Sequence, residues 1–254
     1  MQVFSSGGVS IAYIDVPPAG DDRDEPIVLV HGFASNHAVN WVNTAWVKTL
    51  TQDGRRVVAL DNRGHGESEK LYDPAAYSRS LMATDVLNLM DHLDIARADM
   101  MGYSMGARIT AHFAHEYGAR IRKAVFGGLG MHLIKGGALP QGVADALEAP
   151  TSEGLTDPMQ IMFRKFAEAT KSDLKALAAC IRGSRQSMSE AEVREIACPV
   201  LVAVGTKDVV SGEGAPLARI LQNGLALDIP GRDHNLAVGD RVYKQGVLQF
   251  LATD

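Results

Sequence analysis

Cysteine is nearly absent from this chain, with two among 254 residues. Cys180 and Cys198 form no C-x-x-C pair and are too few for a disulfide framework, so both read as small core residues. No apolar run approaches the roughly 20 residues of a membrane span, and no membrane partner is expected. The N-terminus, Met1-Gln2-Val3-Phe4-Ser5-Ser6-Gly7-Gly8, lacks the basic and apolar regions of a secretory leader. The expected setting is cytoplasmic. Positive charge is also in deficit, with 25 Lys+Arg against 30 Asp+Glu and a net charge of −5. Basic residues form no stripe, which argues against a nucleic-acid partner. Repeats and low-complexity stretches are missing. The one dense charge cluster, Asp21-Asp22-Arg23-Asp24-Glu25, reads as a solvated turn ahead of a buried strand.

What is present suffices for a sizeable core: 46% of residues are hydrophobic. Gln2 to Phe4 and Val9 to Val16 predict a hairpin. Ile27-Val28-Leu29-Val30 and Val57-Val58-Ala59-Leu60 are continuous apolar runs, as expected for strands covered on both faces. Further strands are predicted around Ala98 to Met101, Ile121 to Leu129, Pro199 to Val204 and Leu225 to Ile229. Between them lie helical patterns through Trp41, Trp46, Val47 and Leu50, over 77–93, over 107–117 (with Gly118 as a C-terminal cap), over 215–221 and over 240–251. This alternation predicts an α/β fold, a mostly parallel sheet with helices on both faces. Ligands of such sheets bind beyond the carboxyl ends of the strands.

Residues 130–197 break the alternation with helix signals alone. Asp157-Pro158 predicts an N-cap and first turn, Ser172 a second cap, and Ser189-Glu190-Ala191-Glu192 a capping box. The expected division is a core of residues 1–130 and 198–254 with an inserted helical cap over 131–197.

The most informative segment is Gly102-Tyr103-Ser104-Met105-Gly106. A serine between two glycines, after a strand and before a helix, is the pattern of a nucleophile elbow. Serine needs a base beside it, and the base needs an acid that orients it. His112 and His115 lie on the helix after the elbow and point away, and His132 is a weak competitor. His234, in the loop after the last predicted strand, sits where a base can reach the serine. The strand ending at Gly127-Gly128-Leu129-Gly130 carries no carboxylate, whereas the next ends at Asp208. Asp228 lies within a strand and Asp233 adjoins the histidine, so Asp208 is favoured. The backbone amides of Met105 and Phe33 are the expected oxyanion donors. His31-Gly32 shapes the loop that carries Phe33. The turn Asp61-Asn62-Arg63-Gly64-His65-Gly66 lacks the spacing of a phosphate-binding loop and reads as structural. No His/Cys/Asp cluster has metal-ligand spacing, and no cofactor is expected.

These segments together, with Glu67-Ser68, Gly205-Thr206-Lys207-Asp208 and Gly231-Arg232-Asp233-His234, resemble the α/β-hydrolase superfamily over nearly the whole chain. The resemblance implies a triad of Ser104, Asp208 and His234, with Phe33 and Met105 as oxyanion donors. A serine at the elbow resembles esterases and lactonases more than the aspartate-dependent members. The expected activity is hydrolysis of a small-molecule carboxylic ester or lactone through an acyl-enzyme. The superfamily also includes C–C bond hydrolases of diketones, cofactor-free haloperoxidases and ligand receptors with an idle triad, so fold alone does not choose among them. Met131, Met159, Met162, Phe163 and Phe166 are the candidate pocket walls, which suggests an apolar pocket favouring uncharged acyl groups.

Overall fold

The computed structural model describes residues 1–136 and 139–253. In chain order its strands and α-helices are β1 (Gln2–Ser6), β2 (Val9–Val16), β3 (Ile27–Val30), α1 (Trp46–Gln52), β4 (Val57–Leu60), α2 (Arg79–His92), β5 (Ala98–Tyr103), α3 (Met105–Glu116), β6 (Ile121–Gly127), α4 (Gln141–Glu148), α5 (Pro158–Ala169), α6 (Leu174–Gly183), α7 (Glu190–Arg194), β7 (Val200–Gly205), α8 (Gly214–Ile220), β8 (Gly224–Ile229), α9 (His234–Ala237) and α10 (Arg241–Ala252). The strands form one sheet in the order β1-β2-β4-β3-β5-β6-β7-β8. β1 and β2 pair antiparallel around Gly7-Gly8, whose φ angles of 58° and 90° make the two-residue turn, and β2 pairs antiparallel with β4. From β4 to β8 every pairing is parallel.

The continuous apolar runs of β3 and β4 are buried along their whole length because both sheet faces are covered. Strand alternation divides them between two cores. Val28, Val30, Val58 and Leu60 face one core, with Met82, Leu89 and Phe113 from α2 and α3. Ile27, Leu29, Val57 and Ala59 face the other, with Trp46 of α1 and Tyr243 and Phe250 of α10. Because these strands run parallel, the carboxyl ends of β3, β5, β7 and β8 lie at one edge of the sheet.

Local details depart from the sequence expectations in several places. The pattern through Trp41 and Leu50 is two pieces: a single wide turn over Ala38–Val42, then α1, separated by Ala45 at φ 63°. The segment near Tyr77 is also split, into a 3-10 turn at Pro74–Tyr77 and α2, which Ser78 caps by accepting from the Leu81 N–H. Gly118 is not a left-handed cap; it opens a 3-10 turn over Gly118–Arg120. Asp173, not Ser172, caps α6, because its carboxylate accepts from the Lys175 and Ala176 amides. The Ser172 hydroxyl instead meets that of Thr170 at 2.9 Å. The Asp157 cap and the Ser189–Glu192 capping box form as expected. Between β6 and β7 the described residues contain no strand, only helical turns and α4 to α7; α4 carried no signal recognised in the sequence.

The acidic cluster is more than a solvated turn. Glu25 pairs with Arg55 at 3.1 Å and with Arg122 at 3.0 Å. Both arginines also hold Asp99 on β5, at 2.6 and 2.5 Å. Arg55 has no exposed surface, so its charge depends on these partners and on Asp53 at 3.0 Å. Asp99→Asn leaves this buried guanidinium with one carboxylate fewer. We expect a loss of about 3 kcal/mol in unfolding free energy, read as a lower urea midpoint. A midpoint equal to that of the unaltered protein would show that Asp53 and Glu25 suffice.

Candidate active site

Ser104 stands between β5 and α3 with φ 54° and ψ −112°. A non-glycine residue pays steric energy for positive φ, and its neighbours must allow the tight turn. A side chain on Gly102 would run into the Gly106 backbone, and one on Gly106 into the Val30 and His31 carbonyls. The two glycines therefore let α3 start directly against β3 and β5. The Ser104 amide donates to Gly127 O at 2.8 Å, tying the bend to β6.

Asp208 follows β7 in a turn closed by its own N–H on Gly205 O at 2.9 Å. Its Oδ1 accepts from the Val210 and Ser211 amides at 2.8 and 3.0 Å, and Oδ2 from the Ser211 hydroxyl at 2.6 Å. His234 is the first residue of α9, which Asp233 caps by accepting from the Asn235 and Leu236 amides. That cap occupies the Asp233 carboxylate and leaves Asp208 to the imidazole. His234 Nδ1 lies 2.8 Å from Asp208 Oδ2, and Nε2 lies 3.0 Å from Ser104 Oγ. The carboxylate accepts at Nδ1, which puts the ring proton there and frees Nε2 to accept from the serine. Burial opposes ionisation of Asp208, yet His234, Ser211 and Val210 outweigh it and hold its pKa below the ordinary carboxylate value. The structure thus brings together three residues that the sequence separates by up to 130 positions.

Phe33 lies on the loop after β3. The Gly32 amide donates to Asn40 Oδ1 at 3.0 Å. A Cβ on Gly32 would stand 3.5 Å from Ser104 Cβ, so the loop passes directly beside the serine. Neither the Phe33 nor the Met105 amide has a hydrogen-bond acceptor among the described residues. His31 is a brace: its Nε2 accepts from the Asn62 N–H at 2.9 Å, and the Asn62 amide group donates back to His31 O at 3.0 Å. The turn after β4 is likewise closed on itself. Burial resists the Asp61 charge, but His37 and the Glu67 amide bring its pKa down to about 2.

Two cavities meet at the serine, and Phe33 and Ser104 line both. One, of about 210 Å³, also has walls of Met105, Ile109, Leu129, Met159 and Ile181. The other, of about 350 Å³, is lined by Phe163, Phe166, His234 and Asn235, among others. Of the five residues expected in the pocket walls, Met159, Phe163 and Phe166 reach these cavities. Met162 touches Asn235 at 3.8 Å without lining either, and Met131 packs against the core outside both. The smaller cavity also differs from an apolar pocket in carrying Arg79 and Arg108.

Several supporting residues escaped the sequence reading. The Tyr103 hydroxyl donates to His234 O at 2.6 Å, and Ser211 reaches both Asp208 and His234. Tyr103 was legible only as a neighbour of the serine; for Ser211 the signal was the spacing Asp-x-x-Ser. Asn40, Arg79 and Arg108 had no local signal. Among the described residues no group of three or more His, Cys, Asp or Glu could hold a metal ion, and no helix is long and apolar enough to cross a membrane.

Comparison with known proteins agrees with this architecture. Residues 25–141 match the family model described as alpha/beta hydrolase fold. Over 95 residues the chain is 39% identical to the dihydrolipoyllysine-residue acetyltransferase component of the acetoin cleaving system of Pseudomonas putida. That match covers 37% of the chain but only 24% of the relative's length. A hydrolase from Pseudomonas aeruginosa PA01 superposes with a TM-score of 0.78 at 23% identity, covering 99% of this chain and 98% of the other. The enol-lactonase from Burkholderia xenovorans LB400 superposes with a TM-score of 0.76 at 23% identity, covering 99% and 100%. At that identity the likeness is one of fold.

His65 packs beneath this site, with its ring 5.3 Å from His31 and 5.7 Å from Phe33. Burial, reinforced by His31, pushes its pKa down to about 3. The unfolded chain protonates an ordinary imidazole near pH 6.5 (roughly). The folded state therefore resists a proton that the unfolded state accepts. Stability falls as pH drops below that range, by at most about 1.4 kcal/mol per pH unit from one such group, and this loss levels off below about 3. His65→Gln should make the decline between neutral and acid pH shallower, measured as urea midpoints at several pH values. An unchanged slope would assign the decline to other groups.

Proposed function

We propose that this chain, a member of the alpha/beta hydrolase fold family, is a serine hydrolase that cleaves a carboxylic ester or lactone through an acyl-enzyme. A single observation supports this most strongly. Asp208, His234 and Ser104 stand in hydrogen-bonded series, 2.8 and 3.0 Å apart, and the serine hydroxyl opens into two cavities beside two idle backbone amides.

In this reading Ser104 Oγ attacks the carbonyl carbon while His234 Nε2 takes its proton. The carbonyl oxygen gains the negative charge and accepts from the Phe33 and Met105 amides; one such donor is worth roughly 100- to 1,000-fold in turnover. Asp208, ionised well into acid pH, stabilises the imidazolium without taking its proton. His234 then protonates the leaving oxygen, the C–O bond breaks, and the acyl group remains on Ser104. Water, deprotonated by His234, attacks the acyl carbon; the bond to Ser104 Oγ breaks, His234 returns the proton to that oxygen, and the acid leaves. A lactone follows the same course, with its alcohol and acid ends in one product. The helices of residues 131–197 act as a cap: α5 supplies Met159 to the smaller cavity and Phe163 and Phe166 to the larger.

A panel of p-nitrophenyl esters of graded chain length, with lactones and a vinylogous diketone, tests the reaction type. Ester or lactone turnover is expected, together with covalent labelling of Ser104 by a fluorophosphonate. Turnover of the diketone alone would replace ester hydrolysis with C–C cleavage. Ligand binding without labelling or turnover would point to a receptor. Ser104→Ala should abolish turnover with the fold intact by circular dichroism. Asp208→Asn should lose on the order of 10⁴-fold in kcat; a nearly silent Asp208→Asn would refute the assignment of the acid.

A further inference from the structure

The two cavities divide the residues of the site unequally. His234 lines the larger cavity and not the smaller, whereas Met105 lines the smaller and not the larger. If His234 protonates the leaving oxygen, the alcohol lies in the larger cavity and the acyl group in the smaller one.

The smaller cavity is bordered by a guanidinium that has no ion-pair partner among the described residues. Arg79, the first residue of α2, is 8% exposed. Its Nη2 donates to Ser187 O at 3.0 Å, while Nε and Nη1 are buried with no acceptor among the described residues. No carboxylate forms an ion pair with it among the described residues. The Glu192 carboxylate, held ionised by Ser189 in the capping box of α7, favours the Arg79 charge without pairing with it. Arg108 of α3 lines the same cavity and donates to His132 O at 2.8 Å. Burial first, then the Arg79 charge, push its pKa down to about 10, and the same two causes lower that of His112. Among the described residues the region is therefore electropositive and leaves these donors without acceptors. A buried guanidinium with idle donors is costly unless an acceptor enters. An anion within the cavity would supply one, in a medium where charge-assisted hydrogen bonds are strong.

We propose that the smaller cavity is an anion subsite, and that the preferred substrate carries a carboxylate on its acyl portion, which accepts from Arg79 with Arg108 adding to the field. This specifies the substrate class of the hydrolase reading and rests on it. The chemistry is that of a half-ester or lactone derived from a dicarboxylic acid. The remaining walls (Met82, Ile109, Leu129, Ile181 and others) would pack against the methylenes that join the two carboxyl groups.

The test compares two esters of similar shape, mono-p-nitrophenyl glutarate and p-nitrophenyl pentanoate. We expect kcat/KM for the glutarate ester to exceed that for the pentanoate by at least about tenfold. In Arg79→Gln the ratio of the two should fall by about the same factor, and Arg79→Lys should restore part of it. Melting curves accompany both variants, and the preference of the unaltered protein stands as evidence even if neither variant folds. Equal rates, or faster cleavage of the pentanoate, would overturn the anion subsite while leaving ester hydrolysis intact; Arg79 would then only anchor the backbone at residue 187. If neither ester turns over, ester hydrolysis itself is in question, and calorimetry of glutarate binding to the protein decides the subsite. Binding that Arg79→Lys weakens and Arg79→Gln weakens further supports it, and no binding overturns it.

Discussion

The left-handed backbone at Ser104 is the constraint on which the rest of the site depends. A strand that continued normally would bury this hydroxyl in the sheet, and a helix that began normally would carry it away from the strand ends. The tight bend puts it at the rim, facing His234. The bend exists because β3, β5 and the start of α3 press against each other at two residues without side chains. Its steric cost falls on the folded state, where the packing of the central strands covers it.

Around that bend the protein spends buried polar groups on fixing loops. Asn40 holds the Gly32 amide, His31 and Asn62 clasp the loops after β3 and β4, and Asp61 ties residues 37 and 67 together. Each buried donor or acceptor in this network would be expensive if left unmade, so the loop conformations are strongly determined. His65, neutral over most of the pH range, fits this arrangement: its Nδ1 meets Arg63 O at 3.0 Å, but a proton on Nε2 would find no acceptor among the described residues. Two Arg79 guanidinium nitrogens with no acceptor among the described residues border a cavity that opens on the serine.

The helices between β6 and β7 supply Met159 and Ile181 to that cavity and Phe163 and Phe166 to the larger one. Their caps form from short local signals, Asp157, Asp173 and Ser189, but their contacts are remote. Arg164 of α5 donates to the carbonyls of Ala146 and Ala149 at the end of α4, and Thr170 reaches Ala34 O at 2.9 Å on the loop that bears Phe33. The wall of the site is thus coupled to the loop beside the serine through a single hydroxyl and through the Phe33–Phe163 ring contact at 5.8 Å.

By itself the sequence determined the alternation of strand and helix, the buried character of β3 to β7, the elbow at residues 102–106 and the three residues that meet there. Those features are legible because each is written in adjacent residues: an apolar run, a glycine spacing, a loop after a strand. Only the tertiary structure decided the breaks at Ala45 and Ser78, the pairing of Glu25 with Arg55 and Arg122, and which of the five candidate wall residues reach a cavity. It also revealed the two arginines, because the pattern of α2 and α3 shows which face is apolar but not that a hollow lies beside one position of it. Burial, cavity shape and unmade hydrogen bonds are sums over distant segments, and no local stretch of chain encodes them.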